Sequence, residues 1–254
     1  MKAKLYILIL LVAALSSCDG VLDGLYDSDA GGGGKASGES VSGTIYVDAS
    51  SWTDWYYIDL HAIRDSILKG ADPDTDFRPY PIPTEPTSSF DDDLTGIYTY
   101  WYDIFGQGIG NCEYRSSYPT LRQEEPASWD FAVHRNNVRT NGGGVLQTSL
   151  KDINAATGSL EGTYVEDAMN ETDVWTIQAQ MLQCLIGNQR ISVNSELSRW
   201  LSVQIPPIPP AFTHNDNVFI LRMKDGTHAA LRLANYLSPT GTRCCLTIEY
   251  KYPI

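Results

Sequence analysis

The end of the chain alternates apolar and polar residues with a period of two, which is typical of strands that bury one face. Every second residue over 246–252 is apolar, so this stretch predicts a half-buried strand. Before it, two apolar runs at 218–223 and 228–233 flank the polar residues 224–227, and this order predicts a hairpin. The C-terminal part of the chain is therefore expected to form antiparallel sheet.

Similar β signals follow the first forty residues. Residues 44–47 and 55–60 are rich in aromatic and β-branched side chains, and a polar stretch separates them. Apolar residues at helical spacing over 61–69 predict one short helix, which Gly70 would end. The pattern predicts an all-β, mostly antiparallel architecture with few short helices.

Three segments stand apart from this regular pattern. Residues 71–90 are rich in proline and predict an irregular loop or insertion. Residues 164–186 are ambiguous, although 174–177 has the composition of a strand. Residues 96–105 are strongly aromatic, and we expect them to pack as an added strand or to line a surface groove.

The start of the chain has the pattern of a bacterial lipoprotein signal. Lys2 and Lys4 precede an apolar stretch at 5–15, and small residues lead to Cys18. The apolar stretch is too short to span a bilayer, which needs about 20 apolar residues. We expect residues 1–17 to be removed and Cys18 to carry the lipid that anchors the protein in the membrane. The alternative is an ordinary secretory signal with a chance cysteine.

Residues 18–41 are acidic and rich in glycine, with four consecutive glycines at 31–34. Such a composition cannot build a core, so we interpret this segment as a flexible tether. Its acidic residues resemble the stretch that marks surface-exposed lipoproteins in the Bacteroidetes. The predicted location is therefore the outer membrane, lipid-anchored and exposed at the cell surface.

The charge of the chain limits its partners. The formal net charge is −13 at pH 7. Nucleic acid and anionic lipid headgroups would repel a surface of this sign, so neither is an expected partner. No stretch after the signal is long and apolar enough to predict a transmembrane helix.

Four cysteines remain after Cys18, namely Cys112, Cys184, Cys244 and Cys245. A disulfide such as one between Cys112 and Cys184 is compatible with an oxidising compartment, and the sequence leaves the pairing open. The spacing does not match a zinc site. Because neighbouring strand residues face opposite ways, at least one of Cys244 and Cys245 is expected to be a small buried residue.

Familiar catalytic motifs are absent from the sequence, so we do not expect an enzyme. It has no nucleophile elbow, no zinc-protease motif, no phosphate loop and no dinucleotide fingerprint. Asp91, Asp92 and Asp93 could form a calcium or carboxylate site, but they lack the spacing of a calcium-binding loop. A solvated acidic turn is the simpler interpretation.

The segment 129–143 carries the most specific pattern in the chain. It resembles the signature of the HmuY family, haem-binding lipoproteins of Bacteroidetes, and further matches lie at 218–226, at 230–236 and at 246–253. The resemblance covers about residues 41–254, and residues 71–125 look like an insertion relative to shorter family members. This divides the chain into a signal peptide (1–17), a tether (18–41) and an HmuY-like domain (42–254). The signature residues are Trp129, Asp130, Ala132, His134, Arg135, Val138, Arg139, Asn141 and Gly142.

The resemblance implies an all-β, hand-like sandwich that holds haem between protruding loops. It also implies capture of haem and delivery to a TonB-dependent outer-membrane receptor. Haem iron takes axial ligands such as His or Met, and the family supplies two of them from strands or loops before the final hairpin. By this resemblance His134 is a structural residue, hydrogen-bonded within the signature strand, rather than a ligand.

The same resemblance places the two ligand positions relative to Trp200 and Val218. The first falls within 169–186, where Met181 is the best match, although a methionine can equally fill a core. The second falls within 203–210, where Ile205 and Ile208 occupy the expected positions and neither can bind iron.

His214 lies just beyond these isoleucines. It could substitute as a ligand, or it could be an ordinary solvated loop histidine.

Two functional hypotheses follow. The first is an HmuY-type lipoprotein that binds haem or a related tetrapyrrole, with haem iron as its only expected metal. The second is a non-haem member of the family that acts as a surface ligand-binding or protein-interaction module. The loss of the second ligand position is the feature that distinguishes the two hypotheses. The sequence does not determine the oligomeric state.

Overall fold

The computed structural model describes residues 38–74, 78–79, 81–82, 84–86, 97–103, 108–118, 121–123, 125–158, 160–169, 174–177, 185–189, 191–204 and 209–254. Several residues that the sequence singles out lie outside these ranges. They are Cys18, the three aspartates at 91–93, Met181, Cys184, Ile205 and Ile208.

Within these ranges the chain forms strands, one α-helix and two short 3-10 helices. The helices are α1 (Leu60–Ile67), η1 (Ile153–Ala155) and η2 (Leu197–Trp200). The strands are β1 (Val41–Asp48), β2 (Trp55–Ile58), β3 (Pro81–Ile82), β4 (Thr84–Pro86), β5 (Ile97–Asp103), β6 (Gly108–Tyr118), β7 (Leu121–Gln123), β8 (Phe131–His134), β9 (Asn137–Thr140), β10 (Gly144–Gln147), β11 (Val165–Glu166), β12 (Ala168–Met169), β13 (Val174–Ile177), β14 (Leu185–Gln189), β15 (Ser192–Val193), β16 (Leu201–Gln204), β17 (Ala211–His214), β18 (Phe219–Arg222), β19 (His228–Leu237) and β20 (Arg243–Tyr252).

Two sheets enclose the main core. One has six strands in the order β1-β20-β19-β18-β10-β11, and the other has four in the order β3-β2-β8-β9. Every strand pair in the described ranges is antiparallel. Ile248 and Leu231 of the first sheet share one buried cluster with Phe131 of the second and with Trp200 of η2. The predicted all-β, mostly antiparallel fold is confirmed.

The C-terminal strands follow the predicted pattern. In β20, buried residues alternate with partly exposed ones from Cys244 to Tyr252. The predicted hairpin is formed by β18 and β19, which pair from Phe219 with Leu231 to Arg222 with His228. These strands give the sheet its buried face.

Helix α1 begins and ends where its sequence favours a boundary. Asp59 caps its N-terminus, because its Oδ1 accepts a hydrogen bond from the Ala62 N–H at 2.8 Å. Leu60 and Ile63 are buried against the sheets. Gly70 follows the helix with a φ of 102°, which glycine adopts without a steric penalty. The predicted helix is confirmed to within two residues at each end.

The proline-rich segment is more regular than its sequence predicts. Pro81 and Ile82 form β3, which extends the edge of the sheet beside β2, and β4 pairs with β7. The expectation of an irregular loop over 71–90 was therefore wrong for these two short strands. Proline lacks an N–H and is tolerated in an edge strand, where one row of backbone groups needs no partner strand.

A third sheet joins two segments that are distant in sequence. Its order is β13-β14-β5-β6, so β14 lies beside β5, with Leu185 opposite Trp101. The aromatic segment 96–105 contains β5 and is thus confirmed as a strand, whereas its status as an addition to the family fold stays a prediction. The ambiguous segment 164–186 includes the strand predicted at 174–177. The sheet therefore links the proposed insertion to the segment in which the first haem ligand is expected.

Cys244 and Cys245 carry free thiols. Cys244 is 1% exposed and behaves as the small buried residue that the strand pattern predicts, whereas Cys245 is partly exposed. The pairing of Cys112 with Cys184 lies outside the described side chains. In the part of the chain that the structure describes, no helix is long and apolar enough to cross a membrane.

Candidate functional site

The signature segment 129–143 forms the β8–β9 hairpin and lies inside the protein. Phe131, Ala132, Val133 and Val138 have no exposed surface. A two-residue turn links the strands, since His134 pairs with Asn137. The segment that carries the family resemblance therefore builds the core and presents little surface to a ligand.

His134 is buried within this hairpin. Its Nε2 donates to the Trp52 carbonyl at 3.0 Å, and its ring lies 5.2 Å from that of Trp55. Burial lowers its pKa to about 4, because a charged imidazole would lose its hydration there. The residue is thus structural, and its hydrogen bond reaches the segment before β2 rather than staying within the signature strand.

We expect the neutral state of His134 to make stability depend on pH. The unfolded chain takes up a proton below pH 6.5, whereas the folded chain resists it until about pH 4. The contribution of His134 to the free energy of unfolding is therefore fully present above pH 6.5. It falls by about 3 kcal/mol as the pH drops to 4, since one pKa unit corresponds to about 1.4 kcal/mol. Urea unfolding of the wild type and of His134→Gln across this range measures the effect. Identical pH slopes for the two proteins would contradict it.

The side chain of Arg139 is enclosed by three aromatic rings, which we call the aromatic box. Its guanidinium carbon lies 4.7 Å from the ring centre of Trp55 and 5.3 Å from those of Tyr57 and Trp129. The side chain also forms an ion pair with Glu125 at 3.0 Å and donates to the Tyr57 hydroxyl. The box is filled by the protein's own cation, so it supports the fold and offers no room to a ligand.

Asp167, between β11 and β12, binds the signature strand through its carboxylate. Its carboxylate accepts hydrogen bonds from the Thr140 N–H at 2.7 Å, the Thr140 hydroxyl at 2.8 Å and the Asn194 side chain at 3.0 Å. Directly after it, Ala168 and Met169 pair with Val193 and Ser192. Strand β12, at the start of the first ligand window, is thus held beside β15 and the signature strand.

The first predicted ligand window begins at this anchor. Met181 falls between β13 and β14, outside the described residues. Met169, which opens the window, has a side chain that is 47% exposed. Its thioether is a donor that can coordinate iron, so Met169 is a second methionine candidate that the sequence analysis did not select.

The second ligand window, residues 203–210, lies within the hairpin formed by β16 and β17. Leu201 pairs with His214, and Val203 pairs with Phe212. Ile205 and Ile208 fall between the two strands, outside the described residues. Phe212 and His214 are two positions apart, so their side chains lie on one face of β17, while Thr213 points away and is exposed.

An aromatic cluster forms where this hairpin meets β19 and β20. The ring of Phe212 stacks on that of Tyr236 with centres 5.9 Å apart, and the ring of His214 meets Tyr236 edge-on at 5.8 Å. The guanidinium of Arg243 lies 4.8 Å above Phe212. We name these four residues, Phe212, His214, Tyr236 and Arg243, the hairpin cluster.

The hydrogen bond of His214 sets the chemistry of its ring. Nε2 lies 2.5 Å from the Leu233 carbonyl, which can only accept, so Nε2 carries the proton. The lone pair of the neutral imidazole is therefore on Nδ1. Histidines that bind metals have this arrangement, with one nitrogen donating to a carbonyl and the other free to coordinate.

Most of the predicted site residues lie outside the described part of the chain, so whether they come together stays a prediction. Of those named from the sequence, His214 alone has a described side chain, and it lies among Phe212, Tyr236 and Arg243, which the sequence analysis missed. The alternation of Phe212 and His214 could have signalled a shared face. The position of Tyr236 and Arg243 could not, because it depends on the pairing of distant strands.

A polar cleft elsewhere on the large sheet does not suit an apolar ligand. It runs between β1 and η1 and is lined by Lys151, Arg232 and Glu249, among others. The Arg232 guanidinium donates two hydrogen bonds to the Glu249 carboxylate, at 2.8 and 2.9 Å. A porphyrin face would have to desolvate this pair, so the hairpin cluster is the better candidate.

Solved structures of similar proteins share this fold. A protein of Bacteroides vulgatus described as HmuY-like and haem-binding is 28% identical, with a TM-score of 0.58 over 87% of this chain and 96% of that one. A protein of Bacteroides fragilis described as a lipoprotein is 27% identical, with a TM-score of 0.59 over 87% and 94%. The apo HmuY analogue of Tannerella forsythia, at 18% identity, shares the fold with a TM-score of 0.63 over 87% and 100%.

No curated protein matches the sequence. The model of the HmuY protein family, however, matches residues 51–250, which is most of the chain and includes the buried signature hairpin and the hairpin cluster. The resemblance seen in the signature segment is thereby confirmed over residues 51–250. The chain belongs to the HmuY family.

Proposed function

We propose that this protein binds haem or a related tetrapyrrole as a cell-envelope lipoprotein of the HmuY type, and that it is a binding protein rather than an enzyme. The observation that carries the proposal is the family match over residues 51–250. It is supported by the 28% identical Bacteroides vulgatus protein, which is described as haem-binding.

The hairpin cluster has the kinds of side chain that haem requires. Phe212 and Tyr236 supply aromatic rings on which a macrocycle can stack once Arg243 moves off the face of Phe212. His214 offers the Nδ1 lone pair for the iron, and Arg243 offers a cation for the propionates. When bound, haem would supply an iron centre that accepts such ligands. The residues of the cluster therefore fit the group, with the imidazole as one axial donor.

A second axial donor is expected from the segment that Asp167 anchors. Met181 remains the candidate from the family resemblance, and the exposed thioether of Met169 is the alternative. Ile205 and Ile208 cannot contribute, because an aliphatic side chain has no donor atom.

Titration of the purified protein with haem, followed by absorption in the Soret region, tests the proposal. We expect a sharp Soret shift that saturates at one haem per chain. A continuous, unsaturable rise, as given by non-specific adsorption, would refute haem binding. A parallel titration with iron-free protoporphyrin separates the iron ligands from the apolar surface, since it leaves only the surface to bind.

The non-haem alternative is favoured by one observation, the isoleucines at the second ligand position. It predicts that iron-free protoporphyrin or another apolar ligand binds as tightly as haem. In that case the hairpin cluster would still form the binding surface, and replacing His214 would leave the affinity unchanged.

Anchoring through Cys18 and delivery to a TonB-dependent outer-membrane receptor belong to the same proposal. The similar Bacteroides fragilis protein described as a lipoprotein supports the envelope location. Two or more acyl chains hold a protein firmly on a membrane, so the anchor would keep captured haem at the cell surface.

We expect Cys18→Ser to abolish lipid attachment. Cells grown with an alkyne-tagged fatty acid should label the wild type and leave the variant unlabelled, with the variant released into the soluble fraction. The matched control is Cys245→Ser, which removes a thiol from the folded domain and should leave the label intact. A labelled Cys18→Ser protein would contradict the lipoprotein assignment.

A further inference from the structure

His61 is held between two carboxylates on the side of helix α1 that meets the signature segment. Its Nδ1 lies 3.1 and 3.2 Å from the two carboxylate oxygens of Asp130. Its Nε2 lies 3.0 Å from Oδ2 of Asp225. The imidazole ring packs edge-on against Tyr252 at 5.0 Å, which fixes its orientation.

This arrangement requires more positive charge than a neutral imidazole carries. Carboxylates only accept hydrogen bonds, and a neutral imidazole has one N–H. With Nε2 donating to Asp225, the lone pair of Nδ1 would face the oxygens of Asp130. A cation must lie between them, either a second proton or a metal ion.

A third carboxylate nearby, that of Asp59, favours a metal ion over a proton as this cation. The ligand atoms of Asp59, His61 and Asp130 all lie within 4.8 Å of one another. A bound proton can join only two atoms, whereas an ion with ligands at about 2.0–2.2 Å can gather all three after small side-chain rotations. Among the described side chains, this is the one group of His, Cys, Asp and Glu with that spacing.

The surrounding structure holds the three donors in place. Asp225 is fixed by the Thr227 N–H at 2.9 Å and the Thr227 hydroxyl at 2.7 Å, both on its other oxygen. A carboxylate that accepts from the second nitrogen of a metal-bound histidine is the usual support of such a ligand. The Asp130 side chain is 10% exposed, and its Oδ2 accepts from the Leu60 N–H at 2.6 Å. His61 is 41% exposed, which leaves a path for an ion to enter.

We propose that Asp59, His61 and Asp130 form a binding site for a first-row divalent cation such as Zn²⁺, with Asp225 positioning the histidine. Mixed imidazole and carboxylate donors suit this class of ion. The site joins helix α1, the start of the signature segment and the β18–β19 turn. Bound metal would therefore stabilise the junction of three segments that are far apart in sequence. It is independent of the hairpin cluster and of haem.

The test is titration of the purified metal-free protein with ZnCl₂, measured by calorimetry and by thermal unfolding. We expect binding at one ion per site and a rise in the unfolding temperature of about 5–10 °C at a hundredfold excess over the Kd. His61→Gln removes the nitrogen donor and should weaken binding at least tenfold. Asp59→Asn should do the same while keeping the helix cap, because asparagine caps helices as well as aspartate does.

Two variants control for binding elsewhere. His228→Gln removes another partly buried histidine, and Cys245→Ser removes the partly exposed thiol. Neither should change the affinity of the proposed site. The proposal is overturned if the protein takes up no Zn²⁺ saturably, or if both His61→Gln and Asp59→Asn bind it as tightly as the wild type. A proton alone would then bridge His61 and Asp130.

Discussion

Replacing Arg139 by alanine is expected to lower the free energy of unfolding by about 3–4 kcal/mol, as for a large side chain removed from a core. The substitution removes the cation from the faces of three aromatic rings and breaks the ion pair with Glu125. It also leaves a void, because Arg139 is only 9% exposed. Equilibrium urea unfolding at pH 7 measures the change.

Arg222 provides the matched control. It also lies over one ring, that of Tyr164 at 4.9 Å, and pairs with one carboxylate, Glu166 at 3.5 Å, but its side chain is 42% exposed. Arg222→Ala should cost less than about 1 kcal/mol, as is usual for an exposed pair. Equal losses for the two variants would show that enclosure of Arg139 by the rings does not stabilise the fold.

Replacing His214 by alanine is expected to weaken haem binding at least tenfold, which corresponds to about 1.4 kcal/mol. It should also alter the position and shape of the Soret band. The reason is the loss of the imidazole donor whose Nδ1 lone pair is set by the hydrogen bond to Leu233. Binding should persist weakly, because the rings of Phe212 and Tyr236 remain. Absorption titrations of both proteins under the same conditions measure the difference.

Thr213→Ala is the control for this prediction. Thr213 is the neighbour of His214 on β17, and its side chain is on the opposite, exposed face. It should leave the affinity and the spectrum unchanged. If His214→Ala behaves like the wild type while Met181→Ala or Met169→Ala loses binding, the iron is held by the anchored segment and the assignment of His214 is wrong.

Local pattern was sufficient for those parts of the fold whose structure depends on neighbouring residues. The alternation of β20, the β18–β19 hairpin and helix α1 with its terminal Gly70 all follow from periodicity and turn chemistry. Strands β3 and β4 were missed because proline disfavours a strand locally, while pairing at an edge is decided by tertiary structure.

The rest of the site depends on pairing between strands that are far apart in the chain, so the sequence did not predict it. The neighbouring strands β14 and β5 are far apart in the chain, and no local signal predicts that they meet. Tyr236 and Arg243 join Phe212 only because β17 lies beside the end of β19. The proposed metal-binding group was missed for the same reason, since Asp59 and His61 meet Asp130 only because β2 pairs with β8. His214 could be proposed from the sequence because a side chain with donor chemistry is visible there without its partners, and its role stays a prediction.

Location of the iron in the haem complex tests the central claim most directly. An anomalous difference map, collected at the iron absorption edge from crystals of the complex, should show one strong peak beside the β16–β17 hairpin, adjacent to the imidazole of His214. A single iron peak remote from the hairpin cluster would contradict the claim.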